Sequence, residues 1–508
     1  MRTEQFDIVI IGSGAGGGTI AHALSHCPVR LLIVERGGFI PQEPENWSPE
    51  AVWKQLRYRT TERWLDNNGQ EFPPYTHYCV GGNTKFWGSV LYRLRREDFH
   101  EVAHIDGVSP AWPICYEDLA PHYDRAERLY HVHGQHGVDP TEPQRGPYPY
   151  PPVAHAAEIA AIIEQLEQDG LHPSPLPLGL IEPGATGGCI LCNTCNSFPC
   201  QLQAKSDADV ICVRPTMGRA NVTLWTNAQA LRLQTSAAGD RVEGVEVRRD
   251  DETVRVEAPL VIVSCGAINS AALLLRSSSA QHPRGLANSS GLVGRRYMAH
   301  LATMMQGFHP MRRNGAVFQK TVAINDFYLR GPDTPYPLGQ IQSQGRTHGV
   351  MAQVVGDTII PRIPLWAYDW WVAHGVDWLA MSEDLPRDDN RVTIETDGRI
   401  RLTYEPNNLA AHARLVAETE RILKRLGFWI VMKHSHNTRN TTHQCGTVVF
   451  GRDPRTSVLD TYCRTHDVDN LFVVDGSFFP SSAAVNPGLT IAAQALRVAD
   501  HIIETRLS

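Results

Sequence analysis

Three glycines near the start of the chain have the spacing of a dinucleotide-binding turn. Gly12, Gly14 and Gly17 lie between a short apolar run, Ile8–Ile11, and a helical pattern. Gly12 suits the tight turn, Gly14 lets the backbone approach a pyrophosphate, and Gly17 lets the helix pack on the strand. A second apolar run ends in Glu35, about 20 residues further on, where a carboxylate accepts hydrogen bonds from ribose hydroxyls. The set predicts a dinucleotide site, for either FAD or NAD.

Four cysteines lie close together further along the chain. The spacing of Cys189, Cys192, Cys195 and Cys200 approaches that of an iron–sulfur cluster, and a zinc site is a second reading. However, Pro199 precedes the last cysteine, whereas in the ferredoxin run a proline follows it. The sequence therefore favours a structural loop of reduced thiols, with the cluster and zinc readings left open.

The elements that position these residues are short buried strands that end in glycine turns. The run from Leu260 to Val263 leads through Gly266 into a helical pattern. A later strand closes on Asp475 and Gly476, and a helix after it is predicted to extend to about Thr505. The first turn of that last helix is poor in acidic residues, as expected if it faces negative charge. The pattern predicts a parallel sheet whose turns meet at one site.

The middle of the chain has a different pattern. Apolar and polar residues from Val222 to Leu233 and from Val242 to Arg248 predict two strands of a hairpin. A helix is expected near Ile159 to Leu166, within a proline-rich stretch.

An aromatic cluster lies between residues 366 and 378. Its members are Trp366, Tyr368, Trp370, Trp371 and Trp378. Aromatic faces stack on the apolar face of a sugar ring, and they also pack ordinary cores. For each residue alone, core packing is the better interpretation. The cluster as a group suggests a carbohydrate or an aromatic glycoside as ligand.

The composition excludes several classes of function. The 508 residues carry a net charge of -7, with 42% hydrophobic and 20% charged residues. The acidic balance and the lack of a long Lys/Arg run argue against nucleic acid as a partner. No apolar stretch approaches the length of a membrane span. The segment from Met1 to Gln5 leads directly into the first strand, so we expect a cytoplasmic protein with reduced thiols.

The motifs and their order resemble the glucose-methanol-choline (GMC) oxidoreductases, flavoenzymes that oxidise alcohols. The resemblance is carried by the opening glycines, Glu35-Arg36-Gly37, Gly81-Gly82-Asn83-Thr84, the run from Leu260 to Ala267, His443-x-x-Gly446-Thr447, Asp475-Gly476 and Asn486-Pro487. It spans nearly the whole chain and implies FAD rather than NAD.

The resemblance also implies a fold and a domain organisation. The expected class is α/β, with a Rossmann-like FAD-binding domain that is discontinuous in sequence and comprises residues 1–100, 185–300 and 440–508. Residues 101–184 and 301–439 are expected to form an α+β substrate-binding domain on a mainly antiparallel sheet.

The family pattern places the FAD against a defined set of residues. These are Gly12, Gly14, Gly17, Glu35, Arg36, Gly82, Asn83, Thr84, Trp87, Ala228, Gly266, Asp475, Gly476, Pro487 and Thr490. Fungal pyranose oxidases link FAD through a histidine just after the double glycine, where this chain has Lys85-Phe86-Trp87. Phe86 has no nucleophile, so we expect non-covalent FAD.

Two residues match the catalytic positions of the family. The resemblance assigns His443 as the base that takes the hydroxyl proton, and Asn486 as its partner on the same oxygen. Imidazole titrates near neutral pH, which suits this task. His434 and His436 precede the base. The sugar-directed branch of pyranose oxidases and bacterial glycoside 3-oxidases is the nearest, because its active site also pairs His with Asn.

Three functions follow from the resemblance. The leading one is oxidation of a secondary hydroxyl of a sugar or glycoside, with C3 of the pyranose ring as a candidate position and O2 or another acceptor reoxidising FAD. The second is a dehydrogenase that passes electrons through the cysteine cluster to a partner. The third is a non-redox lyase on the same fold. The sequence leaves the oligomeric state open.

Overall fold

Short apolar runs form most strands of this protein, and longer amphipathic segments form most of its helices. A computed structural model describes residues 2–356 and 363–507. The strands are β1 (Arg2–Gln5), β2 (Ile8–Ile11), β3 (Leu31–Val34), β4 (Trp64–Leu65), β5 (Glu71–Phe72), β6 (Val102–His104), β7 (Gly107–Ser109), β8 (Val132–His133), β9 (Pro173–Pro175), β10 (Leu178–Gly179), β11 (Val222–Trp225), β12 (Ala228–Thr235), β13 (Val242–Arg249), β14 (Glu252–Glu257), β15 (Leu260–Val263), β16 (Leu301–Phe308), β17 (Val322–Ile324), β18 (Gln340–Ser343), β19 (Gly375–Ser382), β20 (Arg391–Ile394), β21 (Ile400–Thr403), β22 (Ile430–Ser435) and β23 (Leu471–Val473). The helices are α1 (Ala15–Leu24), α2 (Tyr116–Leu129), α3 (Ala157–Gln168), α4 (Arg214–Met217), α5 (Ala267–Arg276), α6 (Gly349–Gly356), α7 (Leu365–Ala373), α8 (Leu409–Arg425) and α9 (Gly488–Arg506).

A parallel sheet forms the centre of the fold. Its strands lie in the order β11-β3-β2-β15-β23, and every neighbouring pair is parallel. Four of the five strands are fully buried along their length, which explains why they read as continuous apolar runs. Because the strands are parallel, the turns that follow them meet at one edge of the sheet.

Helices cover this sheet and begin at its glycine turns. Helix α1 starts after Gly14 and α5 starts after Gly266, as the apolar-run-and-glycine pattern predicts. Helix α9 lies against α1 and α2 and ends one residue beyond the predicted limit. Helix α3 includes the predicted segment near Ile159.

A second, antiparallel sheet lies beside the first. Its strands follow the order β22-β16-β19-β18-β17-β9, and helix α8 packs on β19 and β16. Strand β19 is buried along all its residues, and Trp378 on it joins a core that includes Leu415 of α8. The Rossmann-like parallel sheet and this mainly antiparallel sheet confirm the predicted fold class.

The run from Val222 to Leu233, predicted as the first strand of a hairpin, forms two strands that belong to different sheets. Strand β11 joins the parallel sheet, whereas β12 pairs with β13 in a separate sheet of order β1-β14-β13-β12. The chain turns at Asn227, whose φ of 52° is left-handed and interrupts the extended run. Asparagine tolerates this conformation better than most residues, and no glycine or proline marks the break.

The predicted domain limits stay a prediction. The parallel sheet takes its strands from the segments assigned to FAD, and the six-stranded sheet takes its strands from the other segments. A smaller sheet, β20-β21-β4-β5, joins strands from both sets of segments. In residues 2–356 and 363–507 no helix combines the length and the apolar character that crossing a membrane requires.

Candidate active site

A cavity of about 500 Å³ opens at the edge where the turns of the parallel sheet meet. One end is lined by Gly12, Gly14 and Glu35, and the other by His443 and Asn486. The six-stranded sheet contributes part of the wall through β16 and β18. The cavity therefore connects the predicted dinucleotide turn with the predicted catalytic pair.

The glycine turn is closed on one side and open on the other. A Cβ on Gly12 would lie 2.2 Å from the Ser264 carbonyl oxygen, and a Cβ on Gly17 would lie 2.1 Å from the Gly12 oxygen. A Cβ on Gly14 would meet only the Gly81 oxygen, at 3.9 Å. The space beside Gly14 and the N-terminus of α1 thus fits a pyrophosphate, which the free N–H groups and the helix dipole favour.

Glu35 stands at the end of β3 and lines the same end of the cavity. Its carboxylate accepts hydrogen bonds from Ser13 N at 3.2 Å, Ser13 Oγ at 2.5 Å and Gly37 N at 3.0 Å. Burial raises the pKa of Glu35, and these hydrogen bonds act in the opposite direction. The carboxylate is held in place by the protein and keeps further lone pairs for ribose hydroxyls.

The Gly81–Thr84 segment packs on the glycine turn through its own polar groups. Gly81 N donates to Ser13 Oγ at 3.0 Å, and Thr84 Oγ1 donates to Gly81 O at 2.6 Å. Asn83 Oδ1 accepts from His77 N at 2.9 Å. These side-chain oxygens therefore fix the loop, and the contribution of the loop to the cavity is its backbone and the Asn83 amide nitrogen.

Most residues predicted to contact the cofactor line the cavity. They are Gly12, Gly14, Glu35, Arg36, Gly82, Asn83, Thr84, Trp87, Ala228, Gly266, Asp475, Gly476 and Pro487. Gly17 packs behind them, in the close-packing role predicted for it. Thr490 corrects the prediction: it is fully buried in α9, and its hydroxyl shares a 2.8 Å hydrogen bond with Tyr123 outside the cavity lining. Its place two residues into the helix turns it away from the open edge.

At the other end, His443 is in contact with a second histidine and with Asn486. His443 Nδ1 lies 2.9 Å from His300 Nδ1, and His443 Nε2 lies 3.4 Å from Asn486 Nδ2. The outer nitrogen of His300, Nε2, lies 3.1 Å from the Ser482 carbonyl oxygen. The backbone of His443 is left-handed, with φ 51°.

This chain of contacts determines which nitrogen of His443 can act as a base. A carbonyl oxygen only accepts, so His300 Nε2 carries the hydrogen and His300 Nδ1 accepts. His443 Nδ1 therefore donates to His300, and His443 Nε2 carries the lone pair, which accepts a long 3.4 Å hydrogen bond from Asn486 Nδ2. Burial lowers the pKa of His443 well below its usual value, and the nearby His300, His436 and Lys320 lower it further. The imidazole is therefore neutral near pH 7, so its Nε2 lone pair is unprotonated, although the lowered pKa makes it a weaker base than a free imidazole.

Sequence reasoning missed His300 and Lys320 in this wall. His300 precedes β16 and Lys320 precedes β17, and both line the cavity, as does His436. Neither His300 nor Lys320 belongs to a local motif, so only their position near the change of composition at residue 300 was available as a signal. His434 is absent from the described lining.

The aromatic cluster corrects the expectation of a sugar-binding wall. The described lining of the cavity includes none of its five members. Trp378 is buried in the core, and Trp371 stacks on Phe308 at 3.8 Å between ring centroids. Trp366 and Trp370 are exposed. Alternation along β19 and packing of α7 on β16 place these rings away from the cavity.

The loop with the four cysteines is fixed by a buried lysine. Lys205 Nζ donates to the carbonyl oxygens of Cys195, Phe198 and Trp87 at 2.8 to 2.9 Å. Burial raises the pKa of Cys189 to about 12, and burial also raises that of Cys195. Over residues 2–356 and 363–507, no group of three or more His, Cys, Asp or Glu side chains has the arrangement of a metal site.

Comparison with known families decides the identity of the chain. The N-terminal model of the family described as GMC oxidoreductase matches residues 7–302, and its C-terminal model matches residues 386–495. The chain belongs to the GMC oxidoreductase family. As a GMC oxidoreductase it acts on CH–OH donors and uses FAD, and the open side of the glycine turn fits that cofactor.

Individual relatives of this GMC oxidoreductase cover nearly its whole length. Paromamine 6'-oxidase of Streptomyces fradiae is 33% identical over 97% of this chain and 90% of its own length. 6'''-Hydroxyparomomycin C oxidase of Streptomyces lividus is 32% identical over 99% and 92%. The fold resembles that of pyridoxine 4-oxidase from Mesorbium loti, with a TM-score of 0.67, 19% identity and coverage of 98% and 99%.

Alanine at Gly14 and alanine at Gly17 should fail for different reasons. We expect Gly17→Ala to lower the unfolding temperature even in excess FAD, because its Cβ meets backbone, at a cost of about 1–3 kcal/mol. Gly14→Ala should lower FAD affinity with a stability that excess FAD restores, since binding stabilises by mass action. Thermal unfolding at several FAD concentrations measures both. Equal rescue of the two variants would contradict the separate roles.

Proposed function

We propose that the protein oxidises a secondary hydroxyl of a sugar or glycoside to a ketone, with C3 of a pyranose ring as the candidate position. The observation that carries the proposal is the neutral His443 Nε2 beside Asn486 Nδ2, facing a cavity that joins the FAD turn. The likeness to two oxidases named for paromamine and hydroxyparomomycin supports a sugar substrate. The His–Asn pair supports the pyranose oxidase and glycoside 3-oxidase branch.

The residues of this chain would divide the work as follows. His443 Nε2 takes the hydroxyl proton, and Asn486 Nδ2 donates a hydrogen bond to the same oxygen as negative charge develops on it. When bound, FAD supplies the acceptor for the hydride that leaves the carbon. O2 or another acceptor then restores the oxidised state. His300 holds the His443 ring in the tautomer that presents Nε2.

The wall of the cavity suits a ligand with many hydroxyl groups. Three buried polar atoms of wall residues, Trp87 Nε1, Gln342 Oε1 and Asn486 Oδ1, lack a hydrogen-bond partner among the described residues. A buried donor or acceptor without a partner costs roughly 1–3 kcal/mol, so a ligand that supplies partners gains that stabilisation. The mixture of donor and acceptors matches the hydroxyls of a sugar.

Sugars should reduce the bound flavin in the absence of oxygen. We expect mono- and disaccharides, and C- and O-glycosides, to bleach the yellow form on anaerobic mixing, with the product identified as a ketone by mass and NMR. Simple aliphatic alcohols are the control and should react slowly. A flavin that stays oxidised with every sugar would contradict the proposal.

Two variants test the residues in the same experiment. His443→Ala should slow flavin reduction by about 10²- to 10⁴-fold because it removes the base. Asn486→Ala keeps the base and should lose less, about 10- to 10³-fold. Near-normal reduction in a His443→Ala protein that holds FAD would move the role of base to His436.

The hydrogen bonds from His443 through His300 to the Ser482 carbonyl oxygen predict a difference between two substitutions of His300. Glutamine can donate to Ser482 O and accept from His443, whereas leucine can do neither. We expect His300→Leu to slow flavin reduction about 10- to 100-fold at unchanged FAD content, and His300→Gln to recover most of that loss. A pH profile of the reduction rate distinguishes a hydrogen-bonding role of His300 from a packing role. Only loss of the hydrogen bond to His443 should shift the acid limb of that profile. Equal rates in the two variants would show that His300 acts through packing alone.

FAD should be bound without a covalent link. Phe86 lies in the segment just after the double glycine, and its ring stacks on His77 at 3.7 Å between centroids. Acid precipitation should therefore leave the flavin colour in the supernatant. Flavin in the protein pellet would contradict this, and His77, which lines the cavity, would be the first residue to test as the linking group.

A further inference from the structure

One lysine on the cavity wall differs from the other buried lysines. Lys320 is 3% exposed, and its Nζ donates to Asn196 Oδ1 at 2.6 Å. No carboxylate lies within ion-pair distance of this ammonium among residues 2–356 and 363–507. Lys85 in contrast pairs with Asp207 and Asp209 at 3.1 and 2.9 Å. Among the described residues Lys205 also has no carboxylate partner, but its Nζ donates to four backbone carbonyl oxygens. A buried charge needs a partner, and the described protein supplies Lys320 with an amide oxygen only.

The position of this ammonium is built into the wall. A Cβ on Gly88 would lie 1.9 Å from Lys320 Nζ and 2.1 Å from Asn196 Oδ1, so a side chain at this position would displace the pair. The Asn196 amide nitrogen in turn donates to Gln344 Oε1, which also lines the cavity. The lysine is therefore held between polar side chains at a fixed place.

The carboxylates and the cations of the cavity lining differ in whether the protein supplies them with partners. Its described carboxylates are Glu35 and Asp475, and both accept hydrogen bonds from backbone N–H groups. The cationic side chains of the described lining are Arg36, Arg276, Lys320 and Arg346. Arg346 lines the cavity, and the described part of the chain places no carboxylate at ion-pair distance from it. Lys320 is close enough to His443 to lower the pKa of that imidazole. Lys320 and Arg346 thus line the cavity without a carboxylate partner among the described residues.

We propose that Lys320 binds a carboxylate of the substrate, so that the site prefers a glycoside of a sugar acid to its neutral counterpart and disfavours an amino sugar. The inference rests on the proposed function and names the substrate class of the same site. It also separates this enzyme from a relative named for paromamine, an amino sugar. A carboxylate at C6 leaves the ring hydroxyls free for oxidation.

The ionisation of Lys320 gives the preference a pH dependence. Burial lowers the pKa of Lys320 to about 7, with Lys205 lowering it and Cys195 raising it, while His443 stays neutral. A bound carboxylate favours the charged ammonium, so binding takes up a proton when the pH is above that pKa. Affinity for the acid should therefore fall as the pH rises above about 7, and affinity for a neutral glycoside should not.

Three glycosides that differ only at C6 test the inference. Methyl glucuronide, methyl glucoside and methyl 6-amino-6-deoxyglucoside share the same ring hydroxyls. Anaerobic stopped-flow reduction of the FAD-loaded enzyme gives the ratio of limiting rate to dissociation constant for each. We expect the glucuronide to exceed the glucoside by about 10- to 100-fold at pH 6.5, as for a charged hydrogen bond, and the amino sugar to rank last.

Lys320→Met should bring the ratio between glucuronide and glucoside close to one. Lys424→Met is the matched control, because it removes an ammonium that is exposed on α8 and paired with Glu420. It should keep the wild-type ratio. If Lys320→Met fails to hold FAD, Gly88→Ala tests the same point, since it displaces the ammonium and keeps the charge. It should lower the ratio at least threefold.

The outcomes separate this inference from the proposed function. Each of three results overturns the role of Lys320: no preference for the glucuronide, a preference that survives both variants, or an affinity for the acid that does not fall above pH 7. In each case, reduction of the flavin by the neutral glycoside still supports sugar oxidation. Failure of every sugar and glycoside to reduce the flavin overturns both.

Discussion

Close approach of backbone to backbone is the constraint on which the site depends. Three segments of the chain meet where β2 turns into α1, and a Cβ on Gly16 would lie 1.9 Å from the Val474 carbonyl oxygen. Side chains of any size would separate α1, β15 and the residues after β23. The edge of the parallel sheet would then lose the place where strand ends from distant parts of the sequence line one cavity.

Burial has opposite uses at the two ends of that cavity. At the end lined by Glu35, backbone N–H groups donate to the carboxylate and offset part of the cost of burying it. At the end lined by His443, burial keeps the imidazoles of His300 and His443 neutral. The tautomer of one neutral ring then determines the tautomer of the ring that is hydrogen-bonded to it. The same low-dielectric surroundings leave Lys320 dependent on a partner that the described protein does not provide.

The sequence predicted the parts of the fold that depend on local pattern. Buried strands, glycine turns and the first and last helices were recognisable because each combines a short apolar run with a residue that only one backbone geometry suits. The motif order also placed His443 and Asn486, which lie together. The burial of Trp378 agrees with core packing as the better interpretation of each aromatic residue alone. The break at Asn227 and the contact of His300 with His443 were not predictable in this way. They depend on which strands pair across the chain, and no local residue type records that pairing.

The left-handed backbone at His443 gives its position a thermodynamic consequence. A residue with a Cβ loses about 1–2 kcal/mol in this conformation, and glycine does not. The packing around the cavity must therefore offset that free energy, because glycine would adopt this backbone at lower cost but would remove the imidazole from the wall. A substitution of His443 that keeps a Cβ would therefore keep this backbone cost, and glycine alone would relieve it.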